Sequence, residues 1–308
     1  MARGARWGTL LIVSSLFVSM VVVGPGQAEE QPLSEVVDVE RCESLPFCTP
    51  SFHAWELSLA NYENREADSR IIAQHLVSIQ KKNGRWGLGS PWGKTAFDFK
   101  RRTRNDAESW EVAEVGLILM RHHRKFGDVA AKRSARAAAQ YLRDRIVQVG
   151  SAKYLAHMPD CNNYLQPHST LSSAALLNEF RQHRKVAAQL KRSGKKMKWR
   201  RIIPKAGRTD LAGWRWGPEI NDYERVQSGW YLEEMGDRRG TRILSRFGPD
   251  REMDFGRAHP YAVLVDLHRG YADQAQTRAK QTDFVPERGF DVALASWMQK
   301  ALGNSESH

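Results

Sequence analysis

The stretch Ala73-Gln74-His75-Leu76-Val77-Ser78-Ile79-Gln80-Lys81-Lys82-Asn83-Gly84-Arg85-Trp86 runs from a helical pattern through a tight turn to a tryptophan. Upstream of the turn, Ile71, Ile72, Leu76 and Ile79 recur at helical spacing, and Asn83-Gly84 is a strong chain-reversal signal. Part of the stretch is echoed further on. Arg85-Trp86-Gly87 precedes Asn105-Asp106-Ala107-Glu108, and Arg215-Trp216-Gly217 precedes Asn221-Asp222-Tyr223-Glu224. In both copies an N-cap residue stands three before a Glu, which signals a helix start. An acid there also complements the helix dipole, so neither Asp106 nor Asp222 needs a catalytic explanation. The repeating unit is a Trp-bearing loop that feeds a helix. Helical hairpins of this kind cannot bury their apolar faces alone, so they stack into a solenoid or a ring.

Working outward, helical periodicity covers 69–79, 112–120, 130–147, 171–180, 226–235, 261–267 and 292–302, and strand-like alternation is hardly visible. The pattern predicts an all-α chain, an α/α toroid or partial (α/α) barrel built of helical hairpins. The 308 residues, 41% of them hydrophobic with only 12 prolines, are enough for a globular interior and exclude a disordered or collagenous chain.

The N-terminus differs in kind. Arg3 and Arg6 precede an apolar run from Leu10 to Val23 and then Gly24-Pro25-Gly26-Gln27-Ala28, the order of a secretion signal. Residues 1–28 are read as that signal, with an uncleaved N-terminal anchor as the alternative, 29–65 as an N-terminal extension, and 66–308 as the ring domain. No later apolar run approaches a membrane span, so the mature chain is expected to be exported, periplasmic or extracellular, with no transmembrane segment. Three cysteines are too few for a disulfide scaffold. An oxidising compartment permits one bridge, expected between Cys42 and Cys48 with Cys161 free, although pairing of either with Cys161 is equally allowed by the count.

The formal charge of +12 is local. Residues 180–209 contain no Asp or Glu and twelve Lys or Arg; removing these and the two leader arginines leaves −2. This block reads as a basic insertion able to hold an acidic glycan or another acidic envelope component by screened attraction, or as a plain solvated face. Export and the absence of a base-reading motif argue against nucleic acid.

Gln80, Gly84 and Trp86 form the pattern Q-x3-G-x-W. It resembles the QW motif of the α/α-toroid superfamily that includes terpenoid cyclases and protein prenyltransferases, and it is similar to the helix-then-NGGW turn of α/α-barrel pectate lyases. A looser copy lies at Gln148, Gly150 and Tyr154. The resemblance implies outer and inner helices alternating around a central cavity. It does not carry an activity: the acid motif of triterpene cyclases is not recognisable, and the prenyltransferase zinc pattern is broken because Asp160 and Cys161 are adjacent, which leaves zinc at Asp160, Cys161 and His168 or His259 a weak idea. Pectate lyases use calcium carboxylates and an arginine base, and Arg101 and Arg102 lie in a stretch of comparable composition.

In such a ring, the loops ahead of the inner helices open on one rim. Trp86, Trp92, Trp110, Trp214 and Trp216 offer flat apolar faces there, and Asn162, Asn163 and His259 offer polar groups, a mixture suited to sugar. Trp86 and Trp216 also have a packing role open to them, as wedges between hairpins. The segment 154–168 brings His157, Asp160 and His168 together in sequence, and a His beside an Asp can move a proton. The same Asn and Asp side chains also suit an ordered loop that caps its own turns. Asp106, His157, Asp160, His168 and Asp222 are the catalytic candidates for cleavage of an anionic polysaccharide, by a lyase or a hydrolase. The competing expectation is a non-catalytic binding or scaffold module that docks through 180–209. The sequence leaves the cofactor and the metal requirement open. A serine nucleophile elbow, a phosphate-binding glycine loop and H-E-x-x-H are all missing, which disfavours serine hydrolases, nucleotidases and zinc proteases.

Overall fold

The computed structural model describes residues 50–87, 107–160, 164–204, 214–254 and 258–280. The proposed leader, all three cysteines and the helical pattern at 292–302 lie outside them. Ten α-helices occur among the described residues: α1 Pro50–Tyr62, α2 Glu66–Ile79, α3 Ser109–Phe126, α4 Val129–Arg143, α5 Pro167–Asn178, α6 Arg184–Lys196, α7 Asp222–Glu234, α8 Arg238–Leu244, α9 Ala258–His268 and α10 Ala272–Lys280. None is long and apolar enough to cross a membrane. Consecutive pairs form hairpins, and the odd-numbered helices pack on one another in order, α1 on α3, α3 on α5, α5 on α7 and α7 on α9. This is the all-α toroid anticipated from the hairpin pattern.

The two helix classes differ in sequence for a physical reason. Inner helices meet protein on nearly every side: every residue of α5 from Pro167 to Leu177 is buried, as is α3 from Glu111 to Met120. Outer helices need only one apolar stripe. On α4 that stripe is Ala131, Ala135, Ala138, Ala139 and Leu142, small enough to bring the helix close to α3. Asp128 starts α4 by accepting from the backbone N–H of Ala130 (2.8 Å) and Ala131 (3.0 Å). Gly127, at φ 74°, ends α3 in the left-handed conformation that glycine adopts at least cost.

Each residue of the Q-x3-G-x-W pattern has a visible task. The Gln80 side-chain amide donates to Gly84 O (2.8 Å) and Ser134 O (3.0 Å), and its carbonyl accepts from Ser134 Oγ (2.8 Å), which ties the first hairpin to α4 of the second. Gly84 has φ 91°, and a Cβ there would lie 2.3 Å from Ala137 O, so both its backbone angle and its space demand glycine. Trp86 is fully buried and donates its indole N–H to Leu76 O (2.8 Å). The looser copy folds differently. Helix α4 stops at Arg143, short of the expected 147, and β1 (Val147–Val149) turns at Gly150 into β2 (Ala152–Tyr154). The β-branched Val147 and Val149 suit an extended edge better than a fifth helical turn.

A second antiparallel pair, β3 (Arg200–Pro204) and β4 (Trp214–Glu219), holds Trp216 opposite Ile202 and leaves it about half exposed. The basic block is folded over its described part: a short 3-10 turn at Arg181–His183, α6 with Ala187 and Leu190 in the core, and β3. Some of its charge is used internally, since Lys195 donates to Asp237 (2.7 Å) and Lys191 lies 3.8 Å from the same carboxylate.

At the centre, Trp55 of α1 packs edge-on against Tyr261 of α9 (4.9 Å), and Ser58 is hydrogen-bonded to His268, so the last described inner helix returns to the first. Glu114 lies fully buried among them and accepts from the phenols of Tyr261 (2.8 Å) and Tyr231.

Candidate active site

The N-termini of α3, α5 and α7 stand side by side, α5 between the other two. Glu108 occupies the N-cap of α3 in an extended conformation, yet its side chain caps nothing. It reaches sideways, Oε1 lying 3.1 Å from His157 Nε2 and Oε2 accepting the indole N–H of Trp110. The loop carrying His157 is held on both sides. His157 N–H donates to Tyr164 O (2.7 Å), Ser109 N–H donates to His157 O (2.9 Å), and Leu165 pairs with Ile202 of β3. The imidazole is stacked on Tyr164 at 4.7 Å, and its Nδ1 lies 3.5 Å from Ser169 Oγ.

His168, in the first turn of α5, is buried 6.1 Å from His157 between ring centroids, with Nδ1 3.6 Å from Glu224 Oε1. Burial pushes its pKa well below that of an ordinary histidine, and the neighbouring His157 and Arg201 push the same way, so it is neutral at pH 7. Glu224 completes a true capping box with Asn221: its backbone N–H donates to Asn221 Oδ1 and its Oε2 accepts from Asn221 N–H, both at 2.9 Å. Arg201 of β3 lies 2.5 Å from the same Oε2. Burial raises the Glu224 pKa, with Arg201 and the Asn221 N–H pulling it back.

Asp222 is the first residue of α7. Its backbone N–H donates to Asp254 Oδ1 (2.7 Å), the Asp254 N–H donates to Asp222 Oδ2 (3.2 Å), and Arg225 (3.2 Å) and Arg251 (3.5 Å) face the Asp222 carboxylate. Two guanidiniums and the N-terminus of α7 thus surround that carboxylate. Deeper along α3, Glu111 accepts from Ser51 Oγ (2.8 Å); burial drives its pKa up to about 8, with the neighbouring Glu108 carboxyl pushing the same way.

Of the candidates from the sequence, His157, His168, Asp222 and Trp110 gather at this rim; Trp110 lies 6.3 Å from both His168 and Tyr223. Asp160 is engaged elsewhere, accepting from Tyr141 Oη (2.9 Å), Arg145 Nε (2.6 Å) and Arg85. Burial opposes its charge, but these donors outweigh it and hold the carboxyl below its usual range. Trp86 is fully buried with its indole on Leu76 O, so it packs in the core. Trp216 is exposed on β4. Asp106, Trp92, Arg101, Arg102, Asn162 and Asn163 lie outside the described residues, and the structure describes the backbone but not the side chains of Trp214 and His259. No cluster of metal-ligating side chains occurs among the described residues.

Glu108, Glu224 and Arg201 are rim residues that the sequence reading leaves aside. The two glutamates are explained there as caps and the arginine as one charge among twelve. The signal was available, since the sequence echo places Glu108 and Glu224 in equivalent positions at two helix starts.

No protein-family model matches the chain, and no curated relative matches it. Solved structures do. The chain is similar to a family 8 glycosyl hydrolase from Klebsiella pneumoniae, an endoglucanase, with a TM-score of 0.51 and 12% identity over 84% of this chain and 91% of that one. A GH76 α-1,6-mannanase from Salegentibacter sp. aligns with a TM-score of 0.52 and 11% identity over 84% and 89%. A β-1,3-1,4-glucanase from Paenibacillus sp. X4 aligns with a TM-score of 0.52 and 8% identity over 91% and 94%. The fold is that of the α/α-toroid glycoside hydrolases. At these identities the likeness concerns architecture, and the terpenoid-cyclase side of the QW resemblance receives no support from it.

Proposed function

We propose that this protein is a glycoside hydrolase that cleaves a polysaccharide across the inner-helix rim, with Glu108 as general acid and Asp222 as the second carboxylate. The observation that carries this reading is the placement of two acids at the starts of α3 and α7, on either side of α5, in unlike surroundings. Glycoside hydrolysis needs two carboxyl groups with different affinities for a proton. Asp222, faced by Arg225 and Arg251, suits a base or nucleophile. Glu108, buried and shared between His157 and the Trp110 indole, is oriented by two nitrogen-bearing rings and suits proton donation. His157 and His168 then position the acid and shape the rim, and the partly exposed Trp110 supplies aromatic surface for a sugar ring.

Hydrolysis is favoured over elimination because Arg201, Arg225 and Arg251 are each tied to a carboxylate, which leaves no described rim arginine to act as a base. The basic block favours a carboxylated substrate, and the leader pattern favours action outside the cytoplasm.

The test is release of new reducing ends from a panel of carboxylated and neutral polysaccharides by the wild type, Glu108→Gln and Asp222→Asn. Each substitution is expected to lower turnover by roughly 10²-fold or more, the usual worth of an acid–base group. Wild-type turnover by both variants, or no new reducing ends on any member of the panel, would overturn the proposal.

A further inference from the structure

The outer face of the toroid carries a groove that the rim site does not use. It lies between the end of α4, the β1–β2 hairpin and the start of α6, with a volume of about 710 Å³, within the range of roughly 300–1,000 Å³ typical of ligand sites. Half-buried Ile146 and Val186 line it with apolar surface, Gln148 and Gln189 present amides, and Lys153 and Lys185 present ammonium groups. We infer that this groove is a second glycan-binding site, one that takes a carboxylated polysaccharide strand.

Three features lead to that ligand class. The α6 side comes from a stretch with no Asp or Glu, so nothing on that side cancels the positive charge. Arg143, which also borders the groove, is held by Asp144 (2.7 Å), but no carboxylate bridges Lys153 or Lys185 among the described residues. The lining has no Trp, Tyr or Phe, so a neutral sugar would lack the stacking platform that usually holds it, and recognition falls to charge and amide hydrogen bonds. Amides that both donate and accept match sugar hydroxyls, and two ammonium groups match carboxylates along a chain.

The inference is independent of the rim chemistry, because binding is read without turnover. The full-length protein is run in native gels containing polygalacturonate, a neutral β-glucan or single-stranded DNA. The polyuronate is expected to retard the wild type. A Lys153→Glu, Lys185→Glu double variant should lose roughly tenfold in affinity, the sum of two exposed charge contacts reversed. An Arg192→Glu, Lys196→Glu double variant makes the same change in net charge on the exposed face of α6 outside the groove and should keep its affinity. Matched thermal unfolding of the three proteins confirms that each is folded. Equal losses in both double variants would reduce the effect to net charge and overturn the inference. Equal retardation by the neutral glucan or by DNA would overturn the ligand class. Failure of the reducing-end assay alone would leave this site standing.

Discussion

Helices α3 and α7 begin with the same short pattern, Asn-Asp-x-Glu, and use it in opposite ways. At α7 the box closes: Asn221 and Glu224 satisfy each other's backbone N–H groups, and Arg201 pins the glutamate. At α3 the helix starts at Ser109, so Glu108 stands at the N-cap and its carboxyl turns to His157 and Trp110. The tryptophan turns upstream diverge as well. Trp86 is sealed in the core, whereas Trp216 sits half-exposed on a strand. One sequence signal thus yields a closed capping box in one place and an acid turned toward a histidine and an indole in the other, because the neighbouring elements decide which hydrogen bonds are available.

The comparison can be broken most forcefully at the tryptophans. Trp86→Ala removes a fully buried side chain and its indole hydrogen bond and is expected to cost about 3–5 kcal/mol, whereas Trp216→Ala should stay within about 0.5 kcal/mol. Denaturant unfolding of the two variants checks this, and equal losses would erase the distinction.

Next in size is a titration. One turn beyond the echoed glutamates, α3 carries Glu111 where α7 carries Gln227, and both are buried. The Glu111 carboxyl, with its pKa pushed from 4.5 to about 8, keeps a proton in the folded chain that the unfolded chain releases. Its contribution to stability therefore falls as pH rises from about 4.5 to about 8 and is level above that. Glu111→Gln, which makes α3 like α7 and keeps an oxygen for Ser51, should remove that slope and raise stability at pH 9 by on the order of 2 kcal/mol. Unfolding curves across pH 4–9 decide it, and an unchanged slope would mean that Glu111 is ionised in the fold. Smallest is the cap itself: Asn221→Ala should cost about 1 kcal/mol, read as a drop in the unfolding midpoint with no change in its steepness.

How much the sequence disclosed follows the same division. The hairpin architecture and the inner helices α3, α5, α7 and α9 were legible because buried helices write long apolar periodicities. The Q-x3-G-x-W turn was legible because a positive φ at Gly84 and a buried indole admit few alternatives. Helix α6 was hidden, since its buried face amounts to Ala187, Leu190, Ser193 and Gly194 under a dense cover of lysine and arginine. The β1–β2 hairpin was hidden because Ile146 and Val147 continue the apolar rhythm of α4. The rim was half legible. His157, His168 and Asp222 stood out by residue type, but Glu108 looked like an ordinary cap, and only the side-by-side order of α3, α5 and α7 joins residues more than 100 positions apart.

The contact between Ser58 and His268 spans 210 positions along the chain. Each neighbouring pair of hairpins can dock as soon as it leaves the ribosome, but this junction has to wait until the ninth helix exists. Until then the face of α1 that Trp55 presents to Tyr261 lacks that cover. Closing so long a loop is slow, and the open intermediate is the species most exposed to aggregation. Synthesis of this protein therefore passes through an interval in which a nearly finished ring remains dependent on its last residues, and truncation before position 258 should be more damaging than the number of lost residues suggests.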